Sequence, residues 1–176
     1  MLKEVITIVW LLLPAYFANG SPVIISKIIL KLRLKKHPMD FGKNFIDGKR
    51  VFGDSKSWEG FVGGVLTGTL TGFIQSIYMH EMLAKGALTG FVLGVGAMLG
   101  DLLGAFIKRR LGLKPGDPLP VLDQLLFIVV ALVLASKLNL IILSIEEWVY
   151  AIVVTFLLHI LTNLIAYLLN LKSVPW

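Results

Sequence analysis

The stretch "GDLLGAFIKRRLGLKPGDPLPVLDQ", residues 100–124, decides how this chain is read. It begins inside one apolar segment and ends at the start of another. Between them lie Asp101, Asp117 and Asp123 with the cations Lys108, Arg109, Arg110 and Lys114. An ionisable group within a membrane helix is costly, which makes Asp101, about two turns before Lys108, a functional candidate by default. Asp123 falls in the first turn of the next apolar segment, after Pro118 and Pro120, residues suited to a helix start. The short connection between Lys108 and Val121 makes the two segments neighbours and brings Asp101 and Asp123 to one face of a membrane.

The rest of the chain supports the membrane reading. Of 176 residues, 56% are hydrophobic and only 16% charged, with a mean hydropathy of +0.82. A water-soluble domain of this length could not cover so much apolar surface. Apolar stretches of roughly 20 residues, enough to cross a bilayer core, lie near 5–30, 58–79, 86–107, 119–138 and 147–170. The expected fold is an all-α integral membrane protein, a single domain over residues 1–176 with about five transmembrane helices. The first is read as a span rather than a signal peptide, since no charged leader and small-residue cleavage site precede it.

Cations set the topology. Lys31, Arg33, Lys35, Lys36, Lys43, Lys49, Arg50 and Lys56 crowd one loop, about 31–57, and four more crowd the second, about 108–120. The opposite side carries only Lys3, Lys85 and Lys137. The N-terminus is therefore expected outside, both loops in the cytoplasm, and the C-terminus with Lys172 inside. Every Asp (Asp40, Asp47, Asp54, Asp101, Asp117, Asp123) falls on the cytoplasmic side, whereas four of the five Glu residues fall outside. Acidic residues contribute little to topology, so one-sided short carboxylates point to metal binding, set against the preference of Asp for turns. Asp117, in "PGDP", reads as a turn residue.

Hard oxygen ligands without Cys or a suitable His suit Mg²⁺, which is commonly held by one or two carboxylates plus substrate phosphates. Asp101 and Asp123 are the candidate metal ligands. Beside them, Lys108, Arg109 and Lys114 can neutralise a polyphosphate, Arg in bidentate fashion. His159 reads as a packed or hydrogen-bonded core residue. Two further expectations concern the helices. Gly60, Gly64, Gly68 and Gly72, and Gly86, Gly90 and Gly94, recur every four residues, a spacing that lets backbones approach closely. Gly100 and Gly104 are expected to leave open space beside Asp101. Pro14 and "NGSP" at 19–22 are expected to kink or break the first span, with Asn19 and Ser21 facing a polar groove in the broken case.

No soluble nucleotide fold is evident. "GKNFIDGKR" at 42–50 misses the Walker spacing, and "DGKR" at 47–50 shares only two letters with the CDP-alcohol phosphotransferase pattern. By contrast, "GD" at 100–101, "KR" at 108–109, Lys114 and then Asp123 resemble the signature of the CDP-diacylglycerol synthase superfamily. Ala105 and Pro115 replace a Ser and an Asp of the bacterial pattern, and an "HGG" before Asp123 is missing. Together with "PAYFANGSP" and "PMDFGKNFIDGKRVFGDSKSWEGFVGG", the whole chain is similar to the archaeal branch, the CDP-archaeol synthases.

That resemblance implies a nucleotidyltransferase using CTP and an isoprenoid ether-lipid phosphate, with Mg²⁺, in membrane lipid biosynthesis. It implies roles for Gly100 and Asp101, Lys108 and Arg109 and Asp123. It also makes Lys43, Lys49, Arg50 and Lys56 candidates for a second phosphate group and Asp54 for a further carboxylate. A CTP-dependent polyprenol kinase is the enzyme alternative, and a small transporter the non-enzyme one. Nothing in the chain reads as a nucleic-acid surface, and a homodimer stays open.

Overall fold

The computed structural model describes residues 2–171 and 174; the expected cytoplasmic Lys172 lies outside the described residues. Five helices follow one another: α1 (Leu2–Lys31), α2 (Trp58–Tyr78), α3 (Leu83–Arg110), α4 (Leu122–Lys137) and α5 (Ile145–Leu168). No strand forms among the described residues, and four of the helices, all but α4, are long and apolar enough to cross a membrane. The chain is a multi-pass membrane protein. At 16 residues, α4 spans about 24 Å, short of a core of about 30 Å. It begins at Leu122 rather than near 119 because Pro118 and Pro120 hold the approach extended, and Val121 stands at φ 71°.

The expected break in α1 is absent: the helix runs through both Pro14 and Pro22. A proline removes the N–H that would bond the carbonyl four residues earlier. Both orphaned carbonyls find another donor. The amide of Gln75, on α2, donates to Trp10 O, and the buried Ser21 hydroxyl donates to Ala18 O at 3.1 Å. In lipid such substitutes are what make an internal proline tolerable.

Glycine sets the spacing of α2 and α3. A methyl added at Gly68 would lie 2.9 Å from the Gly94 Cα, and one at Gly72 2.7 Å from the Gly90 Cα. The two helices therefore meet backbone to backbone, antiparallel, with Gly64 opposite Met98 at one end and Ser76 opposite Gly86 at the other. This is the close packing that small residues permit where the hydrophobic effect supplies no drive between helices. Around α3 the buried core gathers Ile8, Leu12, Leu93, Met98, Ile128 and Leu132.

Gly100 corrects an expectation. No open space lies beside it, because α4 crosses there: an added Cβ would sit 2.6 Å from both Leu126 O and Phe127 Cα. At Gly104 the nearest neighbour is the mobile tip of Leu126, 3.7 Å away. α5 packs more loosely and is joined to α1 by polar contacts, Tyr16 to Thr155 at 2.8 Å and Asn19 to His159 at 3.5 Å. His159 is thus a hydrogen-bonded residue of the bundle, as its sequence setting indicated.

The two glycines make a paired test. Gly100→Ala must push α4 away from α3, at a cost of about 1–3 kcal/mol, whereas Gly104→Ala fills ordinary contact space. Thermal unfolding of the purified protein in detergent is expected to fall clearly for the first variant and stay near wild type for the second.

Candidate functional site

The C-terminal ends of α1 and α3 and the N-terminal ends of α2 and α4 meet at one side of the bundle, with Asp101 on α3 and Asp123 on α4. Lys108, Arg109 and Arg110 occupy the last turn of α3, where cations suit the negative end of the helix dipole. Asp123 occupies the first turn of α4, where an anion suits the positive end. The Asp123 carboxylate also accepts from the Leu119 N–H at 2.8 Å, closing the turn that enters the helix. Val121, with its left-handed backbone, sits inside that turn, so the structure holds a sterically disfavoured residue two positions before a candidate ligand.

Each candidate carboxylate is joined to a lysine. Lys56, from the long loop, reaches both oxygens of Asp101 at 2.6 Å. Lys108 reaches those of Asp123 at 3.1 and 2.8 Å. Asp101 and Lys108 are seven residues apart on α3, hence on one face with about 10 Å of axial rise between them. The partner of Asp101 comes not from the cations of its own helix end but from a loop residue 45 positions away. A cleft adjoins the Lys56–Asp101 pair, with Pro22, Phe61, Met98 and Leu102 as apolar lining and Ser26, Ser55 and Ser57 as polar lining.

The two carboxylates are 34% and 29% exposed, so they remain accessible from outside the protein. Among the described residues no three His, Cys, Asp or Glu side chains cluster as a complete metal cage. Mg²⁺ takes one or two carboxylates and completes its shell with phosphate and water oxygens, so Asp101 on α3 and Asp123 on α4, each partly open, are the residues that would hold it.

Arg109, a phosphate-binding candidate from sequence, has an unexpectedly buried setting. It is 8% exposed, its Nε has no hydrogen-bond partner, and it makes no ion pair among the described residues. A buried guanidinium without a counter-charge is costly. It lies beside Gly53 of the first loop, which also adjoins Pro115 of the second.

The long loop is ordered and packs on itself. Isolated bridges pair Pro38 with Ser57 and Asn44 with Arg50. At its centre stands Asp40, whose side chain is fully buried. It accepts from Arg50 Nε at 3.1 Å and Nη2 at 2.6 Å, and from the N–H groups of Gly42, Phe52 and Gly53 at 3.1, 3.0 and 2.8 Å. Burial alone would push the Asp40 carboxyl up; Arg50 and the three N–H donors outweigh it and hold the group well below the usual carboxylate range. Sequence reasoning grouped Asp40 only with the one-sided aspartates that point to metal binding; the structure instead makes it the hydrogen-bonded centre of the loop. The glycines that follow it at 42, 48 and 53, all in the left-handed region, were the signal of a tightly turned loop around a centre.

The remaining candidates divide. Arg50 is committed to Asp40 and Asp54, the latter 77% exposed, and so belongs to the loop's own framework. Lys49 donates to Arg110 O at 2.9 Å, while Arg110 returns a bond to Lys49 O at 3.2 Å and stacks on Phe45 and Phe106 with its guanidinium carbon 5.0 and 4.8 Å from the ring centres. These two clasp the loop to α3. Lys43 is exposed, and neither it nor Lys114 makes an ion pair among the described residues. Asp117 accepts from the Lys114 N–H at 2.6 Å and serves its turn, as read from "PGDP".

Comparison with known proteins identifies the family. A family model described as CarS-like, CDP-archaeol synthase, matches residues 1–176. The chain is 46% identical over 173 residues to a CDP-archaeol synthase of Thermofilum pendens, covering 97% of this chain and 80% of that one. It is 47% identical over 169 residues to that of Pyrococcus furiosus, covering 95% of each. A solved structure described as an intramembrane enzyme for archaeal membrane lipids biosynthesis superposes with a TM-score of 0.78 at 34% identity, over 88% of this chain and 91% of that one. The chain belongs to the CDP-archaeol synthase family of membrane enzymes.

Proposed function

We propose that this protein transfers CMP from CTP to the phosphate of 2,3-bis-O-geranylgeranylglycerol 1-phosphate, with Mg²⁺, at the cytoplasmic face of the membrane. The products are a CDP-activated ether lipid and pyrophosphate. The observation that carries this reading is the buried Arg109, which makes no ion pair among the described residues, at the end of the bundle that also holds two partly exposed lysine–carboxylate pairs. A phosphate supplies the charge that Arg109 lacks, and the guanidinium fork matches it in bidentate fashion. The concentration of Lys and Arg in the two loops at this end of the bundle supports a cytoplasmic site, an outer N-terminus and a cytoplasmic C-terminus.

In this reaction an oxygen of the lipid phosphate attacks the α-phosphorus of CTP. The bond from the α-phosphorus to its bridging oxygen breaks, and the electron pair leaves with pyrophosphate. The second ionisation of a phosphate monoester lies near pH ~6, so no side chain need act as a general base. That leaves the histidines without a catalytic task. Alignment and charge neutralisation carry the rate. Arg109 and Lys114 bind phosphate oxygens, and Lys56 and Lys108 stand within reach of any phosphate that meets the two carboxylates. Asp101 and Asp123 are the residues that would hold Mg²⁺, which when bound offsets negative charge on the CTP phosphates. The cleft between the Lys56–Asp101 pair and Phe61 combines polar and apolar lining, which suits a headgroup at the boundary of lipid and water.

The test is an incubation of purified protein with Mg²⁺, CTP labelled on its α-phosphate, and either the geranylgeranyl ether lipid phosphate or phosphatidate. Label is expected in the ether lipid, with one pyrophosphate released per lipid labelled. Accumulation of labelled CDP with no label in lipid overturns the reading in favour of a kinase. In the same assay Asp101→Asn and Asp123→Asn are each expected to lower turnover by about 100-fold or more while leaving expression and thermal unfolding near wild type. Full activity in Asp101→Asn removes that carboxylate from the mechanism.

A further inference from the structure

We infer that Asp40 is a positioning residue for the reaction, acting through Gly53 on Lys56 and Arg109. Asp40 touches neither of the candidate metal-binding carboxylates, yet two short paths run from it into the site. In the first, its carboxylate accepts from Gly53 N at 2.8 Å, and the Gly53 carbonyl accepts from Lys56 N at 3.3 Å. In the second, its chain neighbour Met39 donates to Lys56 O at 2.9 Å. The backbone of Lys56 is thus tethered on both sides, by the residue that Asp40 holds and by the residue beside it. From that tethered backbone the Lys56 ammonium reaches Asp101 at 2.6 Å.

Gly53 makes the second connection. A Cβ there would lie 3.8 Å from Arg109 Cδ and 3.9 Å from Arg109 Nη1, so the backbone that Asp40 pins is also the surface against which the buried guanidinium rests. The backbone at Gly53 stands at φ +89°, a region that L side chains rarely adopt. Asp40 stabilises that conformation from one side with a fully desolvated, multiply bonded carboxylate, an arrangement far stiffer than an exposed ion pair. Lys108 provides the contrast. It is on α3 and meets Asp123 without any participation of the loop.

The catalytic part of this inference rests on the CMP-transfer reading; the structural part does not. It is tested with Asp40→Asn, which keeps shape but removes the charge, and with Gly53→Ala, which has room for its methyl but not a comfortable backbone. First, the rates at which an amine-acylating reagent modifies Lys56 and Lys108 are measured by peptide mass spectrometry on the intact protein. Lys56 is expected to react about tenfold faster in either variant, with Lys108 unchanged. Equal rates in wild type and variants, or parallel acceleration of both lysines, overturn the inference, the latter by marking general loosening.

Second, Asp40→Asn is expected to lower kcat/KM for CMP transfer about 30-fold in the wild-type background and less than about threefold in a Lys56→Met background, because the two act as one unit. Additive losses overturn the catalytic part. If Asp40→Asn does not accumulate in the membrane, Gly53→Ala carries both measurements. Absence of CMP transfer by the wild-type protein refutes the proposed function instead, and the acylation result still decides whether Asp40 positions Lys56.

Discussion

Close contact between helix backbones is the constraint on which this structure depends. Leucine gains little by leaving lipid for a neighbouring helix, so association inside a membrane rests on packing distance and polar contact. Gly68 and Gly72 against Gly90 and Gly94 let α2 and α3 meet with no side chain between them, and Gly96 and Gly100 admit α4 onto another face of α3. α3 thereby becomes the central helix, with twelve of its residues buried. Its charged C-terminal turn is held where the long loop and the start of α4 converge.

The same medium forbids unsatisfied backbone groups. The two prolines of α1 remove two N–H donors, and the molecule answers each locally: Gln75 bridges from α2 to Trp10, and Ser21 turns back to Ala18. The Gln75 bond also joins α1 to α2, across the same interface where Gly64 and Gly68 face the carbonyls of Ala18 and Pro14. The prolines are accommodated by the bundle within one continuous helix.

Charge is handled differently at the two levels of the site. Within the loop, Asp40 and Arg50 neutralise each other almost completely and spend their hydrogen-bonding capacity on the fold. Nearer the membrane, Asp101 and Asp123 are partly exposed and each has a single flexible lysine. Arg109 has no anion at all among the described residues. A rigid outer frame around exchangeable inner charges is what binding a polyphosphate beside a divalent cation requires, because the inner groups must trade partners while the frame keeps its shape.

Composition, hydropathy and the one-sided placement of Lys, Arg and Asp were enough to determine the helix count, the membrane setting and the gathering of the charged loops at one end of the bundle. Those properties follow from transfer free energies that each segment carries by itself. The motif residues Asp101, Lys108, Arg109 and Asp123 were legible for the same reason: a charge placed at a membrane helix end stands out against its background. What a span does at Pro14 and Pro22 was not legible, because the answer depends on donors that include a side chain 65 residues away. Nor was the division of the loop cations, in which Arg50 serves Asp40, Lys49 serves Arg110 and Lys56 serves Asp101. Sequence determined that opposite charges would share one side of the membrane; only the tertiary structure decided which pairs meet, since pairing is set by distance and desolvation across contacts that no local pattern encodes.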